Sequence, residues 1–461
     1  MNNSDDDRAP LHAPELTVSN ECCLAGASAA LHEAVAKALT IANPKYNDAK
    51  RYNRWVGKRL KPELYFFREE KGQLFFPRGF ANETVRLSRH LTGMTPRIDD
   101  RRRLLPEIDL AFCGSLRPYQ QQAVRAVLAH SFGVLEAGTG SGKTVMALAV
   151  LAHRRQPTLI LVHSKELMAQ WRDRIRQFLG IEAGQAGDGK LDLQPVTVAI
   201  VNTAKKLAGT LPPLFGQIVV DECHRVPATL FTEVVSAFDC QYMLGLSATA
   251  FRREDGMTRL IHISMGDRVH SVDGRMLASS GAVVKPVLVQ KPTSFSRGFR
   301  GDYAGLIKAL AANEPRNRQI AADVVALIGQ GHQGTILIVS DRVAHCQVLA
   351  AMLAEEHVVA SVLTGQASAE DRQQIVAAVQ AGRVPVLIAT LQLIGEGFDC
   401  PGLSTLMLAT PIKFEGRLLQ VAGRIMRPAA GKEALVLDYA DVLIPVLRRS
   451  AQARRNLFDA W

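Results

Sequence analysis

The chain has 461 residues, 47% of them hydrophobic and 21% charged, with a formal net charge of +11; this allows two to four domains and excludes a disordered or fibrous protein. No apolar run reaches the ~18 residues needed to span a bilayer, and no secretory signal follows the polar, acidic start MNNSDDD. Seven scattered cysteines without a C-x-x-C pair argue against a zinc site or a disulfide framework and for a reducing, cytoplasmic setting.

Residues 1–20 read as a disordered tail. A helix is predicted over 21–42, capped by Ser19 or Asn20 and stopped by Asn43-Pro44. ELYFF and QLFF flank REEKG and read as a β-hairpin turning at Gly72. PRGF and a helical stretch to about Leu91 follow. Arg101-Arg102-Arg103 falls in a linker punctuated by Gly93, Pro96 and Pro106. Residues 21–108 are thus expected to form a small basic α+β domain. Between Lys45 and Arg103 stand sixteen Lys plus Arg against seven Asp plus Glu, interleaved with nine aromatics. That mixture suits a polyanion with stackable bases, although the aromatics also suit the domain's own core.

From Leu116 short apolar runs alternate with helical stretches: GVLEA, TLILV, VTVAIV, QIVVDE and YMLGLSA. Continuous apolar runs bounded by turns suit buried parallel strands. A second alternation follows residue 315: TILIVS, VVASVL, VPVLIAT, TLMLAT and EALVLDY. Two doubly wound α/β lobes are expected, over 109–290 and 291–461, bridged by a Gly-, Pro- and Ser-rich stretch at 266–300. The last stretch, from Leu447, is a basic amphipathic helix expected to pack on the second lobe.

GVLEAGTGSGKT is strand, glycine loop and helix start. Gly138, Gly140, Ser141 and Gly142 let backbone N–H groups wrap phosphate oxygens at a helix N-terminus. Lys143 is expected to reach the β- and γ-phosphates of ATP and Thr144 to hold Mg²⁺; Ala137 replaces the usual first glycine. QIVVDECH sets two carboxylates at the C-terminal end of an apolar strand, where ligands bind in open α/β sheets. Asp221 can hold Mg²⁺, Glu222 can orient and deprotonate water, and His224 can sense the γ-phosphate. In LGLSAT, the hydroxyls of Ser247 and Thr249 can relay hydrogen bonds between nucleotide and a second ligand. QVAGRIMRP carries Arg424 and Arg427 three residues apart, a spacing that puts both on one face of a helix.

In this order the motifs resemble those of superfamily-2 helicases and translocases, in the branch of XPB-like and restriction-enzyme-type motors. The resemblance covers Leu116 to Trp461 and implies two tandem RecA-like lobes. LRPYQ resembles the adenine-reading motif, with Arg117 and Gln120 as base contacts. LVHSKELMAQW and VNTAKKL resemble motifs that touch the nucleic-acid backbone, through Lys165 and Thr203. ATLQLIGEGFDCP resembles the motif in which Thr390 faces a phosphate and Gly397 and Asp399 the nucleotide. In QVAGRIMRP, Gln420, Arg424 and Arg427 face the γ-phosphate. FRRED resembles a strand-separating element, through Arg253, with one residue of extra spacing. DECH stands where DEAH is commoner, and SATA where SATP is. The first 110 residues resemble, more loosely, the DNA-engaging N-terminal domains of such proteins, PRGF most of all.

The resemblance implies an ATP- and Mg²⁺-dependent DNA helicase or translocase moving 3′ to 5′ on single-stranded or branched DNA, with RNA less favoured. Its place is expected in repair, recombination or replication, in the nucleoid of a bacterium or in a phage system. The same motifs admit an ATP-gated DNA clamp or annealing module, or the motor of a restriction or defence complex.

Overall fold

The computed structural model describes residues 13–51, 55–57, 60–223, 233–248, 257–299, 301–394, 400, 402–429 and 431–459. By contacts the chain falls into two compact units, residues 1–136 with 143–271, and residues 137–142 with 272–461.

The first unit contains two sheets. The N-terminal sheet runs Arg68–Glu70, Gln73–Pro77, Glu21–Ala25, Glu15–Val18, Arg97–Asp100. It is antiparallel except between Glu15–Val18 and Arg97–Asp100. Residues 15–18, expected within a tail, are therefore a central strand. The helix expected over 21–42 is instead strand Glu21–Ala25, helix Ala29–Ala38 and strand Thr40–Ala42. ECCLA buries alternate residues, Cys22 and Leu24, which is the period of a strand. Gly26, at φ 63°, breaks it, and Ser28 caps the real helix by accepting the Leu31 N–H at 3.3 Å. The hairpin does turn at Lys71-Gly72, both left-handed as a two-residue turn requires. Its first arm is Arg68–Glu70, however, while Glu63–Tyr65 pairs with Thr40–Ala42.

Phe76 and Phe80 lie in the core of this sheet and its helices, and Phe66 and Phe67 pack against it. Trp55 is 90% exposed. PRGF is a docking element. Arg78, Gly79 and Phe80 are buried, and the Arg78 guanidinium donates to the Cys240 carbonyl at 2.6 Å. A Cβ on Gly79 would stand 2.5 Å from the Gly266 nitrogen. Two of the three arginines expected in a linker are also ties. Arg103 donates to Asp239 and to the carbonyls of Pro212 and Pro213, and Arg102 pairs with Asp100.

The second sheet of this unit runs Lys190–Asp192, Gly184–Gly187, Val196–Ile200, Thr158–Val162, Gln217–Val220, Tyr242–Ser247, Phe132–Ala137, Arg268–Val272. From Gly184–Gly187 to Phe132–Ala137 its pairs are parallel. All five strands read from the apolar runs are present. The three at its edges carry no such signal.

The second unit has a six-stranded sheet, Pro286–Pro292, Ala434–Ala440, Leu403–Leu408, Thr335–Ser340, Val386–Thr390, Ala360–Leu363, parallel throughout. The stretch expected as a bridge thus supplies edge strands, Arg268–Val272 in the first unit and Pro286–Pro292 in the second. Helix Pro445–Asp459 covers this sheet with Leu447, Ala451, Leu457 and Phe458 buried. Its Arg454 makes a buried ion pair with Asp438 at 2.8 Å.

Candidate active site

Strand order decides what meets in the first unit. Gln217–Val220, Tyr242–Ser247 and Phe132–Ala137 are adjacent and parallel, so Asp221, Ser247 and Glu136 lie at one edge of the sheet. Gly140 and Gly142 sit at φ 85° and 81°, a left-handed backbone that a side chain resists. The helix Lys143–Arg154 starts directly after them, with Thr144 in its first turn. Ser141 and Ser247 are fully buried.

Lys143 Nζ lies 3.7 Å from Glu222 Oε1. The Glu222 backbone is left-handed at φ 45°, which costs about 1–3 kcal/mol for a side-chain-bearing residue. Its neighbours impose it. The Asp221 N–H donates to the Leu161 carbonyl at 3.0 Å and the Cys223 N–H to the Leu246 carbonyl at 3.1 Å. The chain is pinned to both flanking strands while the glutamate turns out between them.

Asp221 is buried. Its Oδ1 accepts the Glu222 N–H at 2.9 Å and its Oδ2 the Trp171 indole N–H at 2.8 Å. Burial first, and the Glu222 charge second, push its carboxyl up to about 6. Trp171 is a site residue that sequence reasoning missed. It sits inside the backbone-contact motif LVHSKELMAQW, and its burial stripe with Met168 and Ile175 reads as ordinary core. Among the described residues no group of three or more His, Cys, Asp or Glu forms a metal cage. Mg²⁺ needs none, because it binds through one or two carboxylates plus substrate phosphates. Asp221 and the Thr144 hydroxyl are hard oxygen donors, and they fit.

The other expected contacts are spread over loop and helix starts. Gln120 is buried and its Oε1 accepts the Arg117 N–H at 2.9 Å, capping helix Pro118–Leu128, while Arg117 is exposed. Lys165 is exposed at the start of helix Lys165–Leu179, and Thr203 is half-buried in helix Val201–Lys206.

In the second unit Thr390 ends strand Val386–Thr390 and is buried, and Gln420 is buried in helix Glu415–Ile425. Arg424 is half-buried in the last turn of that helix, but Arg427 lies beyond its end. The two do not share a helical face. Pro428 disfavours helical backbone at the residue before it, so the helix stops short. Burial, with the Arg427 guanidinium second, pushes the Lys432 amine down to about 8. His224, Thr249, Arg253, Gly397 and Asp399 lie outside the described residues.

Residues 114–252 match the family described as type III restriction enzyme, res subunit, and residues 319–429 match the helicase conserved C-terminal domain. The chain is 28% identical over 310 residues to a probable helicase D10 of Escherichia phage T5, covering 66% of this chain and 67% of that protein. It is 26% identical over 361 residues to a DNA 3′-5′ translocase XPB2 of Sulfurisphaera tokodaii, covering 70% and 81%. A solved fragment of a putative HsdR subunit of a type I restriction enzyme from Vibrio vulnificus shares the fold. Its TM-score is 0.58 at 18% identity, over 76% of this chain and 68% of that one. Two helicase domain families matched in order and relatives of both phage and XPB kinds agree: they support a superfamily-2 helicase of the XPB-like and type III restriction-enzyme type.

Proposed function

We infer that this protein is an ATP-dependent DNA helicase or translocase. The observation that carries the reading is the edge of the first unit's sheet, where Asp221 and Glu222 leave strand Gln217–Val220 and Lys143 Nζ lies 3.7 Å from Glu222 Oε1. In the reaction the glycine-loop N–H groups and Lys143 bind the phosphates. Bound Mg²⁺, held by Asp221 and Thr144, would neutralise phosphate charge. Glu222 orients the attacking water and takes its proton, which passes to the carboxylate as the γ-phosphate bond to the leaving ADP breaks. When Lys143 turns to the phosphates, Glu222 loses its cationic neighbour and is free to act as base.

Arg424 and Arg427, with Gln420 beside them, are proposed to neutralise the γ-phosphate as it leaves. Contacts of this kind contribute about 10³–10⁵ in rate. Arg117 and Gln120 are proposed to read adenine, and His224, Gly397 and Asp399 to complete the nucleotide's surroundings. Ser247 and Thr249 are proposed to couple the nucleotide to DNA gripped through Lys165, Thr203 and Thr390, with Arg253 at the point of strand separation. Backbone grip gives affinity without reading sequence. DNA is favoured over RNA by the form of the EGFDCP motif.

For the N-terminal region, the support is the excursion between the paired strands Thr40–Ala42 and Glu63–Tyr65. Residues 45–61 carry seven Lys plus Arg against one acidic residue, with Trp55 exposed. Its ends are tied where the Asn43 N–H and side-chain amide donate to the carbonyls of Pro62 and Lys61.

The test is ATP turnover against single-stranded, duplex, forked and RNA substrates, with strand displacement followed on the fork. DNA-stimulated turnover with displacement is expected. Turnover indifferent to DNA overturns the reading, and stimulation without displacement reduces it to a clamp or remodelling motor.

A further inference from the structure

We propose that Trp171 is a positioning residue that aims the metal-binding carboxylate of Asp221 and ties it to the nucleic-acid-contacting end of its own helix. The inference rests on the function proposed above, in which Asp221 holds Mg²⁺ and Lys165 touches a phosphate.

The indole is 1% exposed, and its N–H can only donate, so burial obliges it to find an acceptor. The acceptor is Asp221 Oδ2 at 2.8 Å. With Oδ1 held by the Glu222 N–H at 2.9 Å, the two oxygens are fixed by donors from two different elements. The carboxylate plane is set before any ligand arrives, and each oxygen keeps a lone pair for a metal. Outer partners that orient a ligating group in this way typically change metal affinity or activity about 10–100-fold when removed.

The helix that supplies the indole begins at Lys165, capped by Ser164 through the Leu167 N–H at 3.3 Å. Lys165 and Trp171 lie six residues, about 9 Å, apart along it. The buried stripe of Met168, Trp171, Ile175 and Leu179 seats the helix on the sheet. Trp171 makes the hydrogen bond from this stripe to the metal carboxylate. When the first turn of the helix takes hold of a nucleic-acid phosphate, a small displacement of the helix is felt at Asp221 through that bond. Linkage makes the effect reciprocal: DNA tightens Mg²⁺–nucleotide binding by the factor by which Mg²⁺–nucleotide tightens DNA.

The chain has three tryptophans, at 55, 171 and 461, so the Trp55→Phe, Trp461→Phe protein reports on Trp171 alone. Its emission is expected to change on adding Mg²⁺ with a non-hydrolysable ATP analogue, and separately on adding oligo-dT without nucleotide. Lys165→Ala should remove the second change and leave the first. In Trp171→Phe, which keeps most of the packing, the Mg²⁺ concentration for half-maximal analogue binding should rise about 10–100-fold, and oligo-dT should no longer lower it. A tryptophan that only fills the core would lower the melting temperature, leave the Mg²⁺ midpoint unchanged and emit identically with and without ligands, which overturns the proposal. The emission arm needs no substitution at 171, so it decides even where Trp171→Phe fails to fold. Wild-type turnover indifferent to every DNA sinks the proposed function. DNA-stimulated wild-type turnover with an unshifted Mg²⁺ midpoint in Trp171→Phe sinks this inference alone.

Discussion

Glu222 faces two demands at once. Its left-handed backbone strains the chain, yet the flanking N–H groups of Asp221 and Cys223 are committed to neighbouring strands, so the strain persists where the carboxylate is needed. Glu222→Gln should bind ATP normally and lose about 10²–10⁴ in turnover, the usual worth of a positioned general base; single-turnover kinetics with filter binding checks both halves. Lys143→Ala and Arg427→Ala should each abolish turnover and leave DNA binding nearly intact, read by ATPase assay and DNA anisotropy. Normal hydrolysis by Arg427→Ala would remove the arginine from the proposed mechanism. Gly79 illustrates the opposite kind of residue, unimportant chemically and fixed sterically. With the Gly266 backbone 2.5 Å from its would-be Cβ, Gly79→Ala should cost about 1–3 kcal/mol, measurable by denaturant melts.

At the scale of elements, the second unit is pinned by buried polar chains rather than by apolar packing alone. Helix Glu314–Gly329 presents Arg316 and Asn317 inward. Arg316 pairs with Asp441 at 2.8 Å, both side chains fully buried. Removing one partner of such a pair typically costs about 3–5 kcal/mol.

Asn317 accepts from His345 through Oδ1, its amide already donating to Ala311. His345 therefore carries its proton on Nε2, and Nδ1 accepts from the Ser340 hydroxyl at 2.9 Å. Burial first, then Arg316, hold this imidazole down to about 3. An unfolded histidine takes up a proton below about 6.5, whereas the folded one does not until about 3. Stability is therefore full above about 6.5 and falls as pH drops towards 3, by up to ~1.4 kcal/mol per pH unit from this group. His345→Gln should remove that share of the slope in melts run at pH 7, 6 and 5.

In the first unit, Asp267 receives Arg86 and Asn82 from helix Ala81–Thr92 as well as His262. Arg86 foremost holds its carboxyl well below the usual range. That stabilisation is present above the free carboxyl's pKa and is lost as pH falls further. Asp267→Asn should raise hydrogen exchange in helix Ala81–Thr92 at pH 7.

For the whole molecule, salt is the discriminating variable. Replacing the seven basic residues of 45–61 by glutamine should weaken DNA binding and flatten its salt dependence, by about 0.7 in slope for each single-strand phosphate that is no longer neutralised. An unchanged slope would assign that segment to something other than DNA.

What can be read from the chain, and what cannot, has a physical cause. Ten apolar runs become ten strands, nine of them because strands buried on both faces carry their signal in every residue; the tenth, Ala360–Leu363, is a half-buried edge strand. ECCLA is hidden because alternate burial over five residues competes with a helical reading of the twenty around it. Arg268–Val272 and Pro286–Pro292 escape because edge strands need no continuous apolar run. The glycine loop and the strand-end carboxylates are legible because phosphate and metal chemistry restrict residue type. Trp171 is not, because a core tryptophan and one that steers a carboxylate look the same in sequence. The docking role of PRGF is not legible either, because nothing in an arginine beside aromatics says that its partner is an interior carbonyl.

That interior carbonyl has a mechanical corollary. Arg78 and Gly79 join the N-terminal sheet to the nucleotide-binding sheet by a buried guanidinium and by backbone pressed against backbone, a seam with no room to slip. The N-terminal sheet is then no slack tether trailing beside an engine. It is a lever welded to the sheet that carries Lys143 and Asp221, and a pull on the one is felt by the other.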